Sequence, residues 1–439
     1  MSTQLAADSQ PSWSIDPIKI YTLPELIDLA ELHNPETRAA WERVRLRADE
    51  LGIARSAYYP TLVATGFAAS DRQPALIGEY LHRQTIDVVR PALHVEYLVF
   101  DMGGRSGEVD VAKANLLIQG MEFNNTHRRL IYRVASAYFH LLNAKGQRAA
   151  AEISLQNAET VEADTESCLK NGLATQPDLL EASAARAQAD YDLQATIGNE
   201  EIAHSELSTT MGLPAEAQFH VQSISDIPLP TAAADSLDQE IERAFKQRPE
   251  LLADIARIRS AQGDLKQARS AYLPSLHLAG DGGLARGYAQ QDLYPGHYAE
   301  GEVWSAGLEM RWTLFDGARR EKRVAAANAE KRVAESDLHA QRDQIEQEVF
   351  MSYTNLRTAL RQQQAATALL TASSQSYEAA RQSYSFGLRN QLDVISAQKV
   401  LAQALSENVT AQSQLLLQVA DLAFRTADMI QVETQTPKP

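Results

Sequence analysis

The sequence predicts a mainly α-helical chain with a small β part, built as a duplicated repeat. Three observations carry this prediction. First, Pro35 to Leu62 lies over Pro249 to Leu276 at a constant offset of 214, with 13 of 28 positions identical. Its centre is Ala54-Arg55-Ser56-Ala57-Tyr58-Tyr59-Pro60 against Ala268-Arg269-Ser270-Ala271-Tyr272-Leu273-Pro274. Phe100-Asp101 returns as Phe315-Asp316, Leu130, Val134, Tyr138 and Leu141 as Ile345, Val349, Tyr353 and Leu356, and Gly172, Gln176 and Asp178 as Gly387, Gln391 and Asp393. A repeat of this length means a duplicated structural unit. Second, Ala318 to Phe386 is a run of 69 residues without Pro or Gly, enough for a helix of about 100 Å. Third, Trp304 to Leu314 alternates strictly: Trp304, Ala306, Leu308, Met310, Trp312 and Leu314 fall on one face, and Ser305, Glu309, Arg311 and Thr313 on the other. That period of two belongs to a strand with one apolar face.

The elements follow in order. Residues 1–16 form a polar tail and 17–213 the first repeat. It opens with a helix from Leu23 to Tyr58, stopped at Pro60 because proline lacks the donor and restrains its predecessor. Strands at about 60–70 and 90–100 flank a polar, Gly-containing loop, and a long helix runs from Arg105 to Cys168. The turn at 172–178 combines a glycine suited to a helix C-terminus with an Asp suited to the next N-terminus. A return helix spans Asp178 to Met211, and a Pro/Ala/Ser-rich linker covers 214–235. Residues 236–430 repeat the pattern, with a helix from Leu237 to Tyr272, strands at about 274–284 and 303–315, a turn at 387–393 and a return helix from Asp393 to Met429. A second tail covers 431–439, and the two repeats are expected to interlock as one unit.

Forty-one basic against 57 acidic residues give a net charge of −16, which excludes a broad nucleic-acid surface. The single Cys168 excludes an internal disulfide and a cysteine zinc cluster. No P-loop, His-Glu-x-x-His or nucleophile elbow is present, so catalytic residues, metals and cofactors are not expected. No run of 18 apolar residues offers a transmembrane helix. Four strands with one apolar face cannot rest in water. A closed barrel with lipid outside and water inside resolves this, and four strands per chain require several chains to share it.

These motifs resemble the TolC-like outer-membrane efflux protein family over roughly residues 20–430. The resemblance is carried by Asn34-Pro35-Glu36, the Ala54–Pro60 motif, Phe100-Asp101 with Gly103, Ala137-Tyr138, Gly172 with Asp178, and most of their second copies. It implies a homotrimer whose 12-stranded β-barrel sits in the outer membrane and continues as a coiled-coil α-helical tube in the periplasm. It further implies an exit duct for a tripartite efflux pump or type I secretion system, with a periplasmic adaptor and an inner-membrane pump as partners. A signal peptide or acylated N-terminal cysteine is implied too; residues 1–16 show neither, so a trimmed or differently started chain is expected. A periplasmic adaptor or a soluble coiled-coil scaffold are the competing readings; neither accounts for two tandem hairpins each with a strand pair.

The resemblance also assigns positions. Asp178, Tyr384 and Arg389 correspond to a gate at the hairpin tips, with Arg389 and Tyr384 expected to bond the Asp178 carboxylate. Asp393 corresponds to a constriction of the lumen, Ser396 stands where a second acid is usual, and Glu181 is a partial substitute. Gly172, Leu173, Gly387 and Leu388 are the expected adaptor-docking tips. Asp178 and Asp393 equally suit plain helix caps. His94 and Glu96 share a strand face and are read as polar pore wall rather than as metal ligands, as are Glu309 and Arg311. The run Arg319-Arg320-Glu321-Lys322-Arg323 reads as a solvated face.

Overall fold

The computed structural model describes residues 15–77, 79–231, 236–291, 294–386 and 388–428. Eight α-helices and six strands occupy them, each copy contributing four helices: α1 Leu23–His33, α2 Pro35–Ser56, α3 Gly104–Lys170 and α4 Gln176–Thr210, then α5 Leu237–Gln247, α6 Pro249–Ser270, α7 Arg319–Ser385 and α8 Gln391–Thr426. The long strands are β2 Thr61–Ile77, β3 Tyr80–Phe100, β5 Ser275–Gln291 and β6 Tyr294–Arg311. Two short strands, β1 Ile20–Tyr21 and β4 His220–Val221, pair in parallel, so the linker adds a strand to the first copy. The chain divides into two compact units, and each takes segments from both copies.

The helix expected from Leu23 to Tyr58 is two helices. Asn34 stands between them with φ −69° and ψ 125°, because the ring of Pro35 disfavours helical backbone in the residue before it. The Asn34 side chain accepts from the Glu36 backbone N–H at 2.8 Å, starting α2 as it ends α1. Arg248 before Pro249 takes the same conformation. Gly107, Gly120 and Gly146 do not interrupt α3.

The first unit comprises Met1–Trp41, Glu122–Leu251 and Gln341–Pro439. Its core sets Leu26 and Ala30 of α1 against Leu130, Val134, Tyr138 and Leu141 of α3, Leu207 of α4, and Met211, Phe219 and Val221. Each fully buried leucine here stabilises the fold by about 1.5–3 kcal/mol. The repeated stripe on α7 is buried too, at Ile345, Val349, Leu356 and Leu360, with Tyr353 half-buried. A charged cluster ties the copies together. The Arg128 guanidinium donates to the Phe424 carbonyl and pairs with Glu250 at 3.3 Å. Arg248 pairs with Glu348 at 2.8 Å, which also receives Arg425 at 3.1 Å. Arg128 is 2% exposed, and removing one partner of such a buried pair costs about 3–5 kcal/mol.

The second unit, Glu42–Met121 and Leu252–Ala340, holds the long sheet in the order β2-β3-β5-β6, antiparallel throughout. These strands run 17 to 21 residues, well beyond the ten or so that the alternation indicates, and the stretches expected as polar loops are strand. The register explains the misreading. Leu62, Ala64 and Gly66 align with Val95, Leu93 and Pro91; Val95 and Leu93 align with Gly280 and Gly282, and these with Ala306 and Trp304. That face stays apolar from Met310 to Trp304. Farther along the same rows stand Arg72, Thr85, Arg286 and Glu300, which interrupt the apolar face, so the strands there are held by ladder pairing rather than by an apolar pattern. In the other direction β6 ends at Arg311, short of the expected 315.

The opposite face is polar. His94 Nδ1 donates to Asp281 at 2.7 Å and Ser305 donates to the other Asp281 oxygen at 3.1 Å, a row across three strands. Arg311 pairs with Glu309 at 3.0 Å. Among the described residues no cluster of three His, Cys, Asp or Glu is arranged to hold a metal.

At each strand-to-helix joint an arginine turns inward. Arg105 donates to the carbonyls of Ala57 and Val99, both at 3.1 Å, while its backbone N–H meets Asp101. Arg320 repeats this toward Thr313, Leu314 and Asp316. Arg320 therefore departs from the solvated reading of the run it belongs to. Gly103 and Gly317 give the joints left-handed backbone, at φ 101° and 66°.

Candidate functional site

The hairpin tips, in the first unit, bring together residues from both copies. α3 ends at Lys170, and the chain reverses through Gly172 at φ 72°, a left-handed conformation that suits glycine. Leu173 N–H bonds the Cys168 carbonyl at 2.8 Å and Gly172 N–H the Leu169 carbonyl at 3.0 Å, the paired closure of a helix C-terminus. α4 then begins. One oxygen of Asp178, Oδ2, accepts from the Thr175 backbone N–H at 2.8 Å and from its hydroxyl at 2.7 Å. The Thr175 hydroxyl first, and its N–H second, hold the Asp178 carboxyl below the usual range, so it is charged at neutral pH.

The second tip closes in the same way, with Leu388 N–H on the Ser383 carbonyl at 2.9 Å. Asn390 caps α8 by accepting from the Asp393 backbone N–H at 2.9 Å, which leaves the Asp393 carboxylate free of the capping role. Gly387, one of the expected docking residues, lies outside the described residues. Leu173 and Leu388 are 79% and 78% exposed, apolar side chains standing in solvent.

The hairpins meet through Val161, Ala182, Tyr377, Val394 and Leu401, with Tyr384 packed against them. Gln391, the first residue of α8, is buried and donates to the Thr165 hydroxyl at 2.7 Å. Thr165 in turn donates to the Val161 carbonyl at 2.7 Å. The sequence reading missed this pin. Its only trace there is the return of Gln176 as Gln391, and repetition alone does not reveal burial.

Among the described residues the three gate residues make no bond to one another within one chain. The Tyr384 hydroxyl faces the Cys168 thiol and the Thr165 hydroxyl; burial first, then Cys168, raises its pKa, and the Asp178 charge adds a smaller push. Arg389 is exposed and, among the described residues, makes no bond to Asp178. The cap role of Asp178 is thus filled within the chain, and its Oδ1 is open to a partner. Glu181 and Ser396 are exposed, more than one turn into their helices, and Asp393 is half-exposed in the first turn of α8.

A family model described as outer membrane efflux protein matches residues 26–213 and 241–427. The chain is 26% identical to the protein CyaE of Bordetella pertussis over 344 residues, 77% of this chain and 69% of that one. It is 24% identical to the outer membrane protein OprJ of Pseudomonas aeruginosa over 380 residues, 86% of this chain and 78% of the other. A solved membrane protein from Pseudomonas aeruginosa shares the fold, with a TM-score of 0.80 at 21% identity over 93% of this chain and 90% of that one.

Proposed function

Because the chain belongs to the outer membrane efflux protein family, whose members are outer-membrane channels, we propose that it works as a homotrimeric exit duct. In this reading a periplasmic adaptor and an inner-membrane pump, of an efflux or a type I secretion system, load it. The chain supplies the passage and no chemistry. The observation that carries the reading is the sheet β2-β3-β5-β6. It is apolar on one face and polar on the other, and β2 and β6 stand at its edges with no further strand beside them among the described residues. Edges of this kind invite pairing. Three copies of four strands make a closed 12-stranded barrel with lipid outside and water inside. An adaptor or a soluble scaffold has no use for that apolar face.

At the tips, the open Asp178 Oδ1 and the unpaired Arg389 support a gate that closes between neighbouring hairpins of different chains. Tyr384, held beside Cys168 and Thr165, backs the Asp178 carboxylate. Exposed ion pairs are individually weak, so three of them make only a shallow lock on the closed state. A partner that binds the open form more tightly overturns such a lock by its differential affinity. Three Asp393 carboxylates, with Glu181 near them and Ser396 one turn on, form the cation-attracting constriction. The exposed Leu173 and Leu388, with Gly172 and Gly387, are the docking tips. The test is electrical: purified protein in a planar bilayer should give discrete, cation-selective conductance steps. A bilayer that stays silent while the protein is demonstrably inserted overturns the channel reading.

A further inference from the structure

A basic patch stands where the apolar strand face ends. α7 opens with four basic residues among its first five, and only Arg320 is committed to the joint. Arg319, Lys322 and Arg323 are exposed, and their spacing of three and four puts them on one side of the helix. Lys322 reaches Glu321 only at 3.9 Å, with both side chains solvated. Helix stability does not account for the cluster, because cations near a helix N-terminus are unfavourable. Nor does overall charge, since the chain is strongly acidic, at −16.

Three residues four to seven places before Arg319 are of another kind. Trp312, Leu314 and Phe315 are 53%, 77% and 85% exposed and lie in the segment between the end of β6 at Arg311 and the start of α7. The Trp312 indole N–H donates to the Tyr272 carbonyl at 3.1 Å, so the ring is anchored at its polar end and bare on its apolar body. An aromatic belt followed at once by a basic cluster matches the boundary between a hydrocarbon core and an anionic headgroup layer. Of the acids beside the patch, Asp316 is occupied by Arg320, and Glu321 is solvated within the run, leaving three cations against one carboxylate.

We propose that Arg319, Lys322 and Arg323, with Trp312, Leu314 and Phe315, form a collar that binds the phosphate headgroups of anionic phospholipids in the leaflet meeting the strand-to-helix joint. The proposal rests on the outer-membrane reading above. The aromatic and aliphatic side chains seat in the acyl boundary and fix depth. The cations select the headgroup. The collar belongs to the second copy alone, since the corresponding stretch of the first, Gly104-Arg105-Ser106-Gly107-Glu108, has Arg105 as its only basic residue, and that one is committed to its own joint.

Each Lys or Arg near an anionic surface favours it by about 1 kcal/mol, roughly five-fold. The test uses the full chain purified in neutral detergent and equilibrated with equal amounts of phosphatidylglycerol and phosphatidylcholine, with retained lipids counted by native mass spectrometry. The wild type should retain phosphatidylglycerol over phosphatidylcholine by roughly five-fold or more, less at high salt. R319Q/K322Q/R323Q should fall to near parity, while R319K/R323K keeps the preference. The distal pair R72Q/R286Q, on the polar strand extension, should keep it as well. A triple variant with the wild-type lipid ratio overturns the collar, as does a wild type without preference. So does a triple variant whose only change is a lower assembly mass, which would mark the patch as a contact between chains. Fractionation separates the two readings: protein that sediments with outer membranes but shows no preference defeats the collar alone, and protein absent from membranes defeats the outer-membrane reading itself.

Discussion

Leu308→Arg, compared with Glu309→Arg, reads the two faces of one strand. Leu308 lies in the apolar row and pairs across the ladder with Leu278, which pairs with Tyr97. That row runs from Trp304 to Trp312, eight steps of about 3.3 Å. Tilted by about 40° as barrel strands are, it covers about 20 Å of membrane thickness. Leu308 sits at its middle, about 10 Å from either end, where an Arg facing lipid costs about 2–4 kcal/mol. That is roughly a 30- to 700-fold loss in the assembled-to-unassembled ratio per chain. Glu309 faces the other way and pairs with Arg311 at 3.0 Å, both side chains well exposed. Losing such a pair costs about 0–1 kcal/mol. The assay is the assembled fraction in detergent against urea concentration, by light scattering. Leu308→Arg should shift the midpoint down strongly and Glu309→Arg hardly at all. Equal shifts would refute the assignment of faces.

Other consequences follow from the tips. Asp178→Ala with Tyr384→Phe should raise single-channel conductance in a planar bilayer, and Arg389→Ala alone should move it the same way. Unchanged conductance in both would leave Asp178 a helix cap and place the gate elsewhere. The Thr175 bonds keep the Asp178 carboxyl charged to lower pH than usual, so its proposed pairing with Arg389 is present above the ordinary carboxylate pKa and lost as pH falls through the lowered one. Conductance should therefore rise on acidification below that ordinary range, and the rise should vanish in Asp178→Asn. Asp393→Asn should reduce cation selectivity and block by multivalent cations, measured as a reversal potential across a salt gradient. Gly172→Val places a β-branched residue at φ 72°, which strains the turn. Export should fail while assembled protein still reaches the membrane, and normal export would show that the adaptor engages another surface.

The parts of the fold legible in the sequence are those where burial imposes a period. Ile345, Val349, Leu356 and Leu360 repeat at helical spacing because one face of α7 is covered, and they are buried. The hinge at Asn34 was also written there, in the proline that follows it, but the apolar pattern on both sides read as one helix. The strand extensions left no such trace. Arg72, Thr85, Arg286 and Glu300 interrupt the apolar face, and only the neighbouring ladder shows them to be strand. Arg320 was hidden among identical neighbours; that one guanidinium turns toward backbone carbonyls is a matter of place in three dimensions. At the tips, Asp178 was legible as a helix-starting acid, and its Thr175 partner confirms that chemistry. The Gln391–Thr165 pin was not, because glutamine in a helix start is ordinarily a surface residue. In the proposed gate the pairing lies between neighbouring chains, which no single-chain pattern encodes.

The central claim is that four strands per chain become a channel only when chains share them. Its most direct test is the mass of the detergent-solubilised protein by light scattering, with the detergent contribution subtracted. A trimer of the 48.4 kDa chain, about three times that mass, is the predicted result. A stable, folded monomer would contradict it, because the apolar face and the two strand edges would then need no partner.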